Sequence, residues 1–221
     1  MYAQAGCDVD FSTLAANYQL TTIRKNNSLV PEYTPLTLWR RNTEVAHEHS
    51  EINMTKAWNL LTNDRIRPVQ YFDAHQRAVE YSLGALNSGV GENSWSKKQN
   101  LISNQQKLSM HLDRIEGEGC DKREHLSLTK NGIHYSLVWS VAKALPLAYK
   151  EVSDSKEFRL TLSSTNADAI VVNDFFLSLE AYQTTDYADI GDNESDPFLL
   201  GMINLGFVEH GADRSVYSLR W

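Results

Sequence analysis

The stretch between Leu36 and Leu83 constrains the fold more than any other part of the chain. It consists of short bursts of β-branched and aromatic residues separated by polar turns. Thr37-Leu38-Trp39 and Glu44-Val45-Ala46 are two such bursts, with Arg41-Asn42-Thr43 between them. Thr43, Val45, His47 and His49 fall on one side of the second burst, and Glu44, Ala46 and Glu48 on the other. A period of two belongs to a strand with one face buried. Thr62-Asn63-Asp64-Arg65 and Asp73-Ala74-His75-Gln76 interrupt the pattern again. Asn and Asp suit such turns because their side chains bond nearby backbone and tolerate left-handed angles. Turns at intervals of about 10 residues predict an antiparallel meander. Pro68 removes one ladder donor, so its strand lies at an edge, begins there, or bulges.

A second sheet region runs from Glu124 to Ser163. It contains Asn131-Gly132 between alternating runs, a strong hairpin signal. Ser153-Asp154-Ser155 makes another turn, and Phe158, Leu160 and Leu162 form the inward side of the strand after it. The remaining segments read as helical or as loop. Asp10 to Tyr18 predicts a first helix, with Phe11, Leu14 and Tyr18 on one face. A loop with Pro31 and Pro35 follows. Gly84, Gly89 and Gly91 mark a connection, after which Asn93 or Ser94 opens a long helix to about Ile115. Its apolar side is Trp95, Leu101, Ile102, Leu108, Leu112 and Ile115, and Gly117 and Gly119 end it ahead of Cys120. Asn166 or Asp168 opens a further helix. Asp196 caps a short one that starts at Pro197 and ends at Gly206. The last residues, HGADRSVYSLRW, read as a strand or ordered tail. The fold class expected is α+β: a curved antiparallel sheet covered by helices, in a single domain over 1–221 whose part from 164 on is a helical extension.

Composition limits function by exclusion. A formal charge of -7, with basic residues scattered, argues against nucleic-acid binding. No apolar run is long enough to make a transmembrane helix. No G-x-S-x-G, Walker A, G-x-G-x-x-G or H-E-x-x-H pattern occurs, so the expectation is a protein that is not an enzyme. Ala3-Gln4-Ala5 has the A-x-A form of a signal-peptidase site, so residues 1–5 read as a signal-peptide remnant or tag of an exported protein. The two cysteines, Cys7 and Cys120, then suggest one disulfide, with lipidation of Cys7 as the competing reading.

Three side-chain groups are candidate sites. Trp39, Trp58, Tyr71, Phe72, Tyr81 and Trp139 can line an apolar cavity for a lipid or another apolar ligand, or they can fill a close-packed core. His47 and His49 share a strand face and can hold one metal ion. A third ligand would come from His75, His125, His134 or His210, and the plain alternative is two polar residues on a wet face. Asp186, Asp189, Asp192, Glu194 and Asp196 crowd one loop. They offer calcium oxygen ligands without matching the EF-hand spacing, and a solvated loop with Asp196 as cap is the alternative. No cofactor is expected beyond such an ion.

The order of elements resembles a family. An initial helix, a curved meander, a mid-chain helical insertion and more meander is similar to the periplasmic outer-membrane lipoprotein carriers and their relatives. YTPLTLWRRNTEVAHE, from Tyr33, and HYSLVWSVAKALPLAYKEV, from His134, carry the resemblance, which covers Tyr33 to Ser163. It implies an incomplete β-barrel with helices over its open side. It also implies a periplasmic or envelope location, and a lipid, an apolar ligand or an envelope protein as partner in the concave face; a metal-binding protein using His47 and His49 and an interaction scaffold without a small ligand are the alternative readings. FFLSLEAY and DYADIGDNESD have no counterpart in that pattern.

Overall fold

The computed structural model describes Cys7 and residues 10–25, 28–62, 64–82, 92–192 and 195–204. In chain order the elements are strands β1 (Thr13–Arg24), β2 (Ser28–Arg41), β3 (Glu44–His49), β4 (Met54–Leu60), β5 (Ile66–Phe72) and β6 (Arg77–Glu80). Helices α1 (Glu92–Asn100) and α2 (Asn104–Leu108) come next. They are followed by β7 (His111–Glu116), β8 (Arg123–Lys130), β9 (Ile133–Ser140), β10 (Leu145–Val152) and β11 (Lys156–Asn166). Helix α3 (Ala169–Glu180), β12 (Gln183–Asp186) and α4 (Pro197–Asn204) are the last elements among the described residues. The twelve strands among the described residues join one open sheet in the order β12-β6-β5-β4-β3-β2-β1-β11-β10-β9-β8-β7. Among these strands only the β12–β6 pair is parallel. The fold is α+β, a curved sheet that does not close.

The sheet's curl follows from its contacts. Arg40 on β2 donates from Nη2 to the Lys143 carbonyl between β9 and β10 at 2.7 Å. The β1 residue Tyr18 donates from its hydroxyl to the Pro146 carbonyl at 3.0 Å. In a flat sheet three strand spacings of about 4.8 Å separate β2 from β10, more than an arginine spans. One apolar cluster contains both Val45 of β3 and Leu126 of β8. The face carrying Leu14, Tyr18, Leu38, Leu137, Tyr149 and Leu160 is therefore concave.

The turns lie where the polar residues put them. Asn42, Asp64 and Asn131 have positive φ, and Gly132 follows Asn131 at φ 75°, the pair of left-handed residues a two-residue hairpin needs. Three expectations are corrected. Residues 10–18 do not start a helix: from Thr13 they form β1, between β2 and β11. Leu14, Ala16, Tyr18 and Leu20 are all buried at spacing two, and the four-residue step from Leu14 to Tyr18 fits a strand as well as a helix, while Phe11 precedes the strand. Pro31 and Pro35 lie inside β2 rather than in a loop. The paired part of β3 reaches back only to Thr37, so that side of β2 demands no donor where the prolines sit.

The long mid-chain helix is broken. α1 ends at Asn100, Leu101 takes a φ of 63°, and the Ser103 hydroxyl caps α2 by accepting from the Gln106 N–H at 3.1 Å. The chain then extends into β7, so Leu112 and Ile115 are strand residues paired with β8. Trp95 packs against the main core, whereas Leu108 points away from it, 84% exposed. Ser and Asn around 100–109 compete for backbone bonds and favour caps over a continuous helix. Gly117 and Gly119 turn β7 into β8 instead of ending a helix. A Cβ on Gly117 would sit 2.6 Å from the Asp121 carbonyl oxygen.

Helices cover both faces. α1 and α2 lie in the hollow, where Ile102 and the neighbouring Met110 join the core. α4 and the turn before it cover the hollow side of β5 and β6 through Ile190 and Leu199 against Val79 and Tyr81. On the convex face Val172 and Phe176 of α3 rest on Ala15, Ala46 and Ala57. Those three small residues lie in one cross-strand row with Trp39, so the helix can approach closely. Asp168 caps α3 by accepting from the Ile170 N–H at 2.9 Å. The Ala3-Gln4-Ala5 segment, the expected Gly84–Gly91 connection, the end of α4 at Gly206 and the tail HGADRSVYSLRW lie outside the described residues.

Candidate functional site

Cross-strand register assembles the candidate site on the hollow side of β3–β5. His47 lies opposite Lys56, and Lys56 opposite Gln70. In the next row His49 lies opposite Met54, and Met54 opposite Phe72. Both imidazoles are buried, not on a wet face. Alternation explains this: Val45, His47 and His49 share the side that the curl turns inward.

Each group has a defined electrostatic state. His47 donates from Nε2 to the Lys98 carbonyl of α1 at 2.7 Å, and its ring meets Trp58 edge-on with centroids 4.7 Å apart. Burial pushes its pKa down to about 3, against the hydrogen bond to Lys98 and with added repulsion from His49, Lys98 and Lys56. His49 is lowered to about 4 by burial and then by Lys56. Burial also lowers Lys56. Among the described residues, the buried Nδ1 of His49 has no hydrogen-bond partner. The Lys98 ammonium lies 5.1 Å from the centre of the Trp58 ring. Gln70 donates to the Met54 sulfur at 3.1 Å and accepts from the Tyr81 hydroxyl at 3.4 Å. Among the described residues, no carboxylate pairs with His49 or Lys56. The arrangement concentrates positive potential in a partly dry place beside aromatic rings.

The aromatic residues expected to line a cavity are divided by the fold. Trp39 faces the convex side, stacked on Phe175 at 4.0 Å, with its indole N–H donating to Glu48 at 2.8 Å. Trp58 and Trp139 belong to the concave core but stand on β4 and β9. Phe72 and Tyr81 pack in the cluster under α4, against Phe198 at 5.3 Å and Tyr187 at 5.0 Å. Tyr71 meets Tyr182 on the convex side. Trp58 meets His47, Phe72 ends the row of His49 and Met54, and Tyr81 reaches the row of His47 and Lys56 through Gln70. Sequence reasoning missed Lys56. A hairpin register counted back from the Val45–Trp58 pair would have placed it opposite His47.

Of the further metal-ligand candidates, His125 bonds Glu116 at 2.9 Å near the far edge of the sheet. His134 bonds Thr129 on the β8–β9 hairpin, His75 packs near Phe198, and His210 lies outside the described residues. Among the described residues, no three His, Cys, Asp or Glu side chains come together as ligands. In the acidic segment Asp196 pairs with Arg77 at 2.7 Å and accepts from the Phe198 N–H at 2.9 Å as the cap of α4. Asp186 accepts from the Ala188 N–H at 2.9 Å, and Glu194 lies outside the described residues. Cys7 and Cys120 form a disulfide across a separation of 113 residues, which ties the start of the chain to the β7–β8 turn.

No family model and no curated protein matches the chain. Among solved structures it is similar to a Vibrio parahaemolyticus domain described as an outer-membrane lipoprotein-sorting protein, at 10% identity over 77% of this chain and 93% of that one, with a TM-score of 0.34. It is similar to a LolA-superfamily protein from Nitrosomonas europaea at 10% identity over 72% and 87%, TM-score 0.31. A chain of the Pseudomonas aeruginosa MucA/MucB complex matches at 12% identity over 71% and 52%, TM-score 0.32. The carrier family that the sequence resembles is thus among the structural matches. At these values they transfer no residue, ligand or partner to this chain.

Proposed function

We propose that this chain is an exported, non-catalytic binding protein that takes an apolar ligand with an anionic end into the hollow of its sheet, the charged end at His49 and Lys56. The observation that carries this reading is the buried His49 Nδ1 beside a Lys56 ammonium: among the described residues the nitrogen has no hydrogen-bond partner and the ammonium no carboxylate. Leaving such groups without partners costs free energy that a bound carboxylate or phosphate would offset. Trp58 and Phe72 supply the apolar border that an acyl or aromatic tail requires. The Cys7–Cys120 disulfide supports export, because such bonds persist in oxidising compartments. The test is solvent extraction of the purified full chain followed by mass spectrometry. An anionic amphiphile released from the wild type, and depleted in Lys56→Met, is expected. Extracts free of any amphiphile, with no binding of added fatty acid or anionic phospholipid, would refute the proposal.

A further inference from the structure

The edge strand β7 is the least protected part of the sheet. All six of its residues are exposed, and among the described residues it pairs only with β8 and nothing covers its outer side. Exposed edges are templates for strand addition. The sequence of β7, His-Leu-Asp-Arg-Ile-Glu, is complementary to itself when reversed. In antiparallel pairing about a two-fold axis between Asp113 and Arg114, His111 meets the second copy's Glu116. Leu112 meets its Ile115, and Asp113 meets its Arg114.

The side chains lie on the faces this pairing needs. Leu112 pairs with Leu126 and Ile115 with Glu124, on the hollow side, while Arg114 and Glu116 lie on the convex side. A bulge between Leu112 and Arg114 makes Asp113 the extra residue. Asp113 accepts from the Ser127 hydroxyl at 3.0 Å, on the convex side. The bulge thus brings Asp113 and Arg114 to one face, leaving the apolar pair on the other. Leu112 and Ile115 are 43% and 53% exposed, and Leu108 just before the strand is 84% exposed. Glu116 already holds His125 at 2.9 Å and Arg114 at 3.4 Å, so its carboxylate is fixed where the second copy's His111 would approach. Bulges deter indiscriminate edge pairing, and the complementary charges select among the strands that remain.

We infer that β7 is a self-association edge: two copies of this chain pair through His111–Glu116 to form one continuous sheet across a two-fold axis. The occupant is a second copy because an acidic or a basic foreign strand would satisfy only half of these charges. The inference does not depend on what the hollow binds. The test is sedimentation equilibrium of the full, disulfide-bonded chain at up to about 100 µM, enough to fill a dimer of micromolar Kd. The wild type is expected to dimerise, with amide exchange in 111–116 slowing as concentration rises. Asp113→Arg alone and Arg114→Asp alone place like charges opposite each other twice per dimer, and each should weaken association about tenfold. The double swap D113R/R114D restores opposite charges and should recover association. All these positions are exposed, and circular dichroism checks that each variant folds. A monomeric wild type, a dimer whose 111–116 amides exchange unchanged, or a double swap no better than the single variants would each overturn the inference.

Discussion

Acidification from pH 7 to pH 5 should destabilise the protein through His47 and His49, by an amount that follows from their burial. An unfolded histidine titrates near 6.5, whereas in the fold burial holds His47 at about 3 and His49 at about 4. Between those values the unfolded chain binds protons that the folded one does not. Unfolding free energy therefore rises with pH through this window and is lost as pH falls. At pH 5 each imidazole contributes a loss of about 2 kcal/mol relative to neutral pH, and the two together about 4 kcal/mol. Lys56 and Lys98 face the same pair from β4 and α1 and repel the incoming protons, so they sharpen the loss.

Urea denaturation at a series of pH values measures this. With an m-value of about 2–3 kcal/mol per molar, the midpoint should fall by more than about 1 M between pH 7 and pH 5. The double variant His47→Gln/His49→Gln removes both titrating rings and subtracts every other group in the chain. The glutamine amide introduced at position 47 keeps a donor for the Lys98 carbonyl. A wild-type slope equal to that of the double variant would refute the reasoning, because the imidazoles would then be as wet in the fold as out of it.

Two stability predictions follow from other parts of the molecule. Reducing the Cys7–Cys120 bridge opens a loop closed across 113 residues, and the loop-entropy model assigns that about 4–5 kcal/mol. Equal urea midpoints with and without reductant would count against it. Ala46→Leu places a branched side chain in the fully buried row under α3, which should cost about 1–3 kcal/mol by overpacking. A thermal midpoint unchanged from wild type would mean that α3 does not rest on that row.

The parts of the fold that could be read from sequence are those set by neighbouring residues. Asn42, Asp64 and Asn131-Gly132 mark turns because left-handed backbone is a local property of those residue types. Asp168 and Asp196 mark helix starts for a similar reason. β1 was not legible, because what decides its state is pairing with β11, about 140 residues away, and two periodicities fit its apolar residues. Residues 93–115 failed for the opposite reason. Their apolar spacing suits a helix, but Ser103 offers a cap inside it and β8 offers a strand partner for its end. In the site, the shared face of His47 and His49 could be read directly. Their burial could not, since it depends on the curl of the sheet and on α1 lying over it.

The segment that breaks the predicted helix also divides the hollow. Its apolar residues Trp95, Ile102 and Met110 join the core that runs from Val45 of β3 through β2 and β1 to β8–β11, so that part is filled by the chain itself. Above β3–β5 the same segment presents the Lys98 carbonyl to His47 and an ammonium to Trp58. Between that core and the apolar cluster under α4, the strip of His47, His49 and Lys56 is polar, basic and partly dry. A purely hydrocarbon ligand would find the apolar parts occupied and the strip costly to enter, because it would strand the His49 nitrogen and the Lys56 ammonium. A ligand with a negative end meets both conditions at once. Under the proposed function, this division of the hollow by α1 and α2 favours an amphiphile over a plain apolar molecule.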